Sequence, residues 1–179
     1  INAGKGDDTI NGSSGDDTYI YNLGDGKDVI TEDKYNRYSS SSNGNDKIIF
    51  GKDISKEDIF FTKEKNSKDL IIKFKTKDDN NNVIVDANNQ ITIYNHFYSP
   101  IHKIETLEFA NGDKIDISNY NNVDYQYYGT DNDDNIVSSY GNATIEAKDG
   151  DDTINTSSGN DVINAGKGDD TINGSSGDD

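Results

Sequence analysis

Eight aspartates occupy one place in a nine-residue pattern: Asp8, Asp17, Asp28, Asp134, Asp152, Asp161, Asp170 and Asp179. A glycine stands two residues before most of them: Gly6, Gly15, Gly26, Gly150, Gly159, Gly168 and Gly177. An apolar residue stands two places after seven of them, at Ile10, Tyr19, Ile30, Ile136, Ile154, Ile163 and Ile172. Glycine lets the backbone curl until carbonyl oxygens turn toward one point. The aspartate adds charge to that set of oxygens. Calcium takes six to eight oxygen ligands in a flexible geometry, so such a loop suits it. The chain has no cysteine, which removes thiolate metal sites and disulfides. One Gly-x-Asp alone would read as a turn. Eight aspartates in register, with glycine and apolar residues also in register, read as a ladder of cation sites.

Stacked turns must position those loops. One apolar residue in nine cannot make an amphipathic helix, which needs about three per two turns. It fits a short strand with one side chain facing in, followed by a tight turn. The nonamers begin at Ala3, Gly12 and Leu23, the last after a two-residue slip, and again at Gly129, Ser138, Ala147, Thr156, Ala165 and Gly174. Stacking gives a parallel β coil whose thin core is a ladder of isoleucines, including Ile145. The nonamer at Ser138 has Ala143 where aspartate is expected, which predicts a gap in the metal ladder. The acids one place earlier (Asp7, Asp16, Asp151, Asp169, Asp178) read as solvated charge. Residues 1–17 recur letter for letter at 163–179, an offset of 162 residues or eighteen nonamers. We therefore expect one unit cut from a tandem array, with 129–179 running on into the equivalent of 18–31. Outermost repeats of such a stack are expected to fray and to bind calcium more weakly.

Composition agrees. The chain is 30% hydrophobic, has no Trp or Met, and carries a net charge of −17. Residues 1–30 and 129–179 hold 18 acidic and 4 basic residues, whereas 31–128 hold 16 and 13. Acid this dense argues against nucleic acid or anionic lipid as a partner and for cations. No apolar run approaches the roughly 20 residues of a transmembrane helix. Three regions follow: repeat block 1–31, a β-rich segment 32–128 with a polar loop at 35–45, and repeat block 129–179. In the middle segment, β-type runs fall at Asp46–Phe50, Asp58–Thr62, Asp69–Phe74, Asn82–Asp86, Gln90–Phe97 and Lys103–Phe109. Gly, Asn and Asp separate them, which favours hairpin-like connections. Residues 120–128 join this segment to the second block.

The nonamers AGKGDDTIN, AKDGDDTIN and TSSGNDVIN resemble the repeats-in-toxin (RTX) family and its calcium-binding pattern GGxGxDxUx. The first two positions depart from that pattern in several frames. The resemblance implies an all-β fold: parallel β-roll blocks flanking the β-rich middle. It implies a calcium ion between loops two nonamers apart on one edge of the coil. That pairs the Asp134 loop with Asp152, Asp152 with Asp170, Asp161 with Asp179, and Asp8 across to Asp28. Backbone carbonyls near Gly4, Gly6, Gly150, Gly166 and Gly168 would be the neutral ligands. The middle segment resembles the β-rich stretches found beside such repeats in large secreted proteins.

The expected function is a calcium-binding structural module of a secreted or surface-attached bacterial protein, an adhesin, surface-layer protein or toxin. It would be exported unfolded by a type I system and fold outside the cell. Its partners would be calcium ions and neighbouring repeat units, with a glycan or cell-surface molecule as a further partner. The alternative is a polysaccharide-binding module, for which the tyrosines of 120–128 could serve. No catalytic set is visible, so no enzyme is expected. Asp131–Asp134 begins like an EF-hand loop but lacks its glycine and glutamate. His96 and His102, the only histidines, are open to a zinc or acid/base role, against an ordinary partly exposed one.

Overall fold

The structure, a computed structural model, describes residues 1–32, 44–64, 66–98, 102–119, 123–138 and 141–179. The loop expected at 35–45 lies outside the described residues up to position 43. The described chain is all-β apart from one short 3-10 turn at Lys56–Asp58. Among the described residues, no helix is long and apolar enough to cross a membrane. The chain divides into two compact units. One comprises Ile1–Phe60 with Lys68–Asn119, the other Phe61–Ser67 with Tyr120–Asp179.

The second unit is the coil the nonamers predict. Its strands are β10 (Tyr125–Tyr128), β11 (Asn135–Val137), β12 (Ala143–Glu146), β13 (Thr153–Asn155), β14 (Val162–Asn164) and β15 (Thr171–Asn173). Alternate strands share a sheet. Strands β11, β13 and β15 pair in parallel, with Ile136 opposite Ile154 and Ile154 opposite Ile172. Strands β10, β12 and β14 do the same, with Tyr127 opposite Ile145 and Ile145 opposite Ile163. Ile136, Ile145 and Ile154 are buried with Ala143 and Ala147, and Tyr127, Ile163 and Ala165 pack against them. Strand β10 lies in 120–128, read from the sequence only as a joiner. It is a turn of the coil, with Tyr125 and Tyr127 where Asp and Ile stand elsewhere.

The first unit contains β1 (Thr9–Asn11), β2 (Thr18–Tyr21), β3 (Lys27–Thr31), β4 (Lys47–Phe50), β6 (Leu70–Lys77), β7 (Val83–Ile93), β8 (Thr106–Glu108) and β9 (Lys114–Asp116). Here the expectation of hairpins holds for β6 with β7 and is corrected for the other neighbours of β4 and β7. Strand β4 pairs in parallel with β2, and β8 in parallel with β4. Strand β1 pairs in parallel with β3, and β3 with β7. Strands β6 with β7 and β8 with β9 run antiparallel. The runs at 82–86 and 90–97 are largely one strand, β7. The coil therefore continues past residue 31 into the middle segment, and the unit boundary does not follow the repeat boundary. The reason is geometric: each turn of a coil brings the chain back in the same direction, so inserted residues lengthen a turn without reversing the next strand. Strand β5 (Ile59–Thr62) leaves this unit, and its Phe61 pairs with Tyr125 of β10.

The core of the first unit is thicker than an isoleucine ladder. Tyr21 stacks on Phe74 with centroids 5.2 Å apart, and Phe50 stacks on Phe109 at 5.0 Å. Phe50 also meets Phe74 edge-on at 6.1 Å. These rings come from both sheets of the unit, so aromatic burial adds to the apolar stabilisation here.

The histidines are not the partly exposed side chains one reading expected. His96 is fully buried, and His102 is nearly so. His96 Nε2 lies 2.7 Å from the Ile117 carbonyl, and Nδ1 lies 3.4 Å from the Ile104 N–H. That network fits one neutral tautomer, with hydrogen on Nε2 and acceptance at Nδ1. A second proton would set N–H against N–H. Burial holds its pKa down at about 4, the nearby Lys103 charge adds to the depression, and the bond to the Ile117 carbonyl opposes it. Because the folded pKa lies below the unfolded value of about 6.5, the neutral ring stabilises the fold fully above that pH. The contribution, on the order of 3 kcal/mol at most, is lost as pH falls from about 6.5 toward 4. Thermal melts in calcium should therefore fall more steeply over that range for the natural protein than for His96→Gln. Parallel curves would contradict this role.

Candidate metal centre

In each turn, the strand after the loop fixes the backbone of the aspartate, and the loop two nonamers away receives its side chain. Asp152 Oδ1 accepts the Asp134 N–H at 2.8 Å, and Asp170 Oδ1 accepts the Asp152 N–H at 2.9 Å. Asp161 Oδ1 accepts the Ala143 N–H at 2.8 Å, and Asp179 Oδ1 accepts the Asp161 N–H at 3.1 Å. Asp28 Oδ1 accepts the Asp8 N–H at 3.1 Å. The structure thus brings together the Asp134–Asp152, Asp152–Asp170, Asp161–Asp179 and Asp8–Asp28 loops.

Sequence reasoning left Asp17 without a partner. Its N–H donates to Asp46 Oδ1 at 2.8 Å, and the Asp46 N–H donates to Glu105 Oε2 at 2.8 Å. A signal for Asp46 was present. Gly44, Asp46 and Ile48 repeat the glycine, aspartate and apolar spacing in SSNGNDKII, residues 41–49. Glu105 stands in the same structural place as the ladder aspartates, but nothing in its local sequence marks it.

On Asp46, Asp152 and Asp161 one carboxylate oxygen is spent on backbone and the other is left over. Among the described residues, Asp8, Asp17, Asp46, Asp152 and Asp161 each have a buried Oδ2 with no hydrogen-bond partner. Asp152 and Asp46 are both 1% exposed. Burial holds the Asp28 and Asp46 carboxyls above their ordinary range, with neighbouring aspartates adding to the effect. A buried carboxylate oxygen facing no donor is costly unless a cation meets it. The donor set is all oxygen, which suits a hard ion. These aspartates therefore fit calcium, which would supply the positive charge the ladders lack.

The glycines set how closely the loops approach. Gly4, Gly6, Gly150, Gly166 and Gly168 all have positive φ. A β-carbon on Gly168 would collide with the Gly150 carbonyl, and one on Gly166 with the Lys148 carbonyl. The Gly6 carbonyl is packed in the same way against Gly26, whereas a β-carbon on Gly4 would meet nothing within 4 Å. Loop backbones also bond directly, as in Gly150 N–H to the Lys167 carbonyl at 2.9 Å.

The neighbouring acids Asp7, Asp16, Asp151, Asp169 and Asp178 are exposed, as solvated charge is, and Asp7, Asp16 and Asp151 also join a second ladder running the opposite way. Asp7 Oδ1 accepts the Lys27 N–H at 2.9 Å, and Asp16 Oδ1 the Asn45 N–H at 3.0 Å. Asp133 and Asp151 accept the N–H groups of Asp151 and Asp169 at 3.0 and 2.9 Å. Asn142 and Asn160 do the same for Asn160 and Asp178.

Ala143 marks a break of a particular kind. It is 2% exposed and sits in the apolar cluster, opposite the buried Tyr125 in the preceding turn of that sheet. Apolar packing there replaces a carboxylate in two successive turns. A crystal structure grown in calcium should show full occupancy between the Asp152 and Asp170 loops and less between the Ala143 and Asp161 loops. Equal occupancy would mean that backbone carbonyls, not the aspartates, dominate binding.

A family model describing four copies of the RTX calcium-binding nonapeptide repeat matches residues 1–30, 128–163 and 146–179. Comparison with curated proteins gives no match.

Proposed function

We propose, from the premise that this chain carries RTX calcium-binding nonapeptide repeats in both of its outer blocks, that it is a calcium-folded structural module of a large secreted or surface-attached bacterial protein. The observation that carries this reading is the set of buried Oδ2 atoms without partners on Asp8, Asp17, Asp46, Asp152 and Asp161. All five sit on the ladder position, so the fold is electrostatically incomplete without cations. Calcium is abundant outside cells and scarce inside them. Binding energy outside would become folding energy. Inside, the chain would stay extended, as export in an unfolded state requires. The parent protein would be an adhesin, surface-layer protein or toxin, and this module would act as spacer and scaffold, with no catalytic role.

Small-angle scattering tests the reading. In millimolar calcium the radius of gyration should be near 16 Å, and in chelator it should rise toward roughly 45 Å. A compact particle in both conditions would defeat it.

A further inference from the structure

Two departures from the repeat pattern meet at one point in the first unit. Tyr19 stands where the other nonamers of the two repeat blocks carry an isoleucine, and Glu32 follows directly on the slipped third nonamer. The Tyr19 hydroxyl donates to Glu32 Oε1. Asp17, Glu32 and Asp46 each place one carboxylate oxygen within 4.8 Å of those of the other two. Glu32 and Asp46 are each 1% exposed. Asp17 Oδ2 and Asp46 Oδ2 are buried without a partner. Two of the three carboxylates lie over Gly12, where a β-carbon would lie 2.8 Å from Glu32 Oε1 and 2.9 Å from Asp17 Oδ2.

We propose that Asp17, Glu32 and Asp46 form a three-carboxylate calcium site that binds more tightly than the loop sites of the second unit and fills first. This deepens, and rests on, the reading of the module as calcium-folded. Oxygens bound to one calcium at about 2.4 Å lie up to about 4.8 Å apart, and the three of this cluster fall within that limit. Calcium affinity rises with the number of charged ligands and the rigidity of the site. The repeating loops pair two ladder aspartates, whereas this site adds a third carboxylate from outside the pattern. Tyr19 fixes the orientation of that third carboxylate, and the backbone N–H of Asp17 fixes Asp46. Tyr19 acts as a positioning residue and Glu32 as a ligand.

The test combines a diffraction experiment with a titration. Crystals of the whole chain soaked in terbium should give an anomalous peak within bonding distance of all three carboxylates. In calorimetric titration with calcium, Glu32→Gln should weaken the first binding event at least tenfold and leave the later events unchanged. Should that variant misfold, Tyr19→Phe keeps the ring and should still weaken the first event several-fold. Peaks at the Asp134–Asp152–Asp170 loops with none at Asp17 would overturn this site and leave the calcium-folding reading standing. An unchanged first event in a folded Glu32→Gln protein would also overturn it. No peak at any loop, together with folding indifferent to calcium, would overturn both.

Discussion

Gly168→Ala should disable the second unit far more than Gly4→Ala disturbs the first. Both glycines have positive φ, +137° and +87°. A side chain in that region costs about 1–3 kcal/mol of strain. For Gly4 the cost stops there, because a β-carbon meets nothing within 4 Å. At Gly168 the β-carbon collides with the Gly150 carbonyl, which is backbone and cannot rotate away. Relief requires the two loops to separate. Separation stretches the bonds from Asp152 N–H to Asp170 and from Asp169 N–H to Asp151, both 2.9 Å. Hydrogen bonds to charged groups contribute about 1.5–3 kcal/mol each. We expect a loss on the order of 4 kcal/mol, and a calcium midpoint shifted upward by well over tenfold, since about 1.4 kcal/mol is one decade. Calcium titrations of both variants, followed by circular dichroism, check this. Equal shifts would mean that loop stacking does not set the sites.

The same loops show what could be read from the chain alone. Where the nine-residue spacing is kept, as at Asp152 and Asp161, strand, turn, inward isoleucine and ladder partner all followed from residue type and period. Where residues are inserted, the local pattern survives but the partner is lost. Thr18 pairs with Lys47 and Lys27 with Gln90. No turn residue encodes those pairings; the winding of the coil does. Hairpin reasoning therefore named β4 and β7 as strands but gave β4 the wrong neighbours, and for β7 it found β6 and missed β3. Tyr125 shows a different limit. It sits in an aspartate's place, and only the packing of Ala143 opposite it makes an apolar residue suitable there. The second ladder, through Asp7, Asp16 and Asp151, was illegible because its partners are backbone N–H groups of another loop, and every residue other than proline carries one.

Removing calcium should have the largest effect of all. Asp46, Asp152 and Asp161 are buried, and each has one carboxylate oxygen with no hydrogen-bond partner among the described residues. The two repeat blocks, residues 1–30 and 129–179, carry 18 acidic against 4 basic residues. Without calcium, self-repulsion adds to the cost of burial, and a core with one inward isoleucine per nonamer is too small to offset it. Magnesium should not substitute, because it needs near-ideal octahedral geometry and gives up water reluctantly. The direct measurement is far-ultraviolet circular dichroism of the chain in strong chelator, then with calcium or magnesium raised to millimolar levels. The account predicts a coil spectrum in chelator, a cooperative rise of β signal with calcium and little change with magnesium; a β spectrum already present in chelator and unmoved by calcium would contradict it.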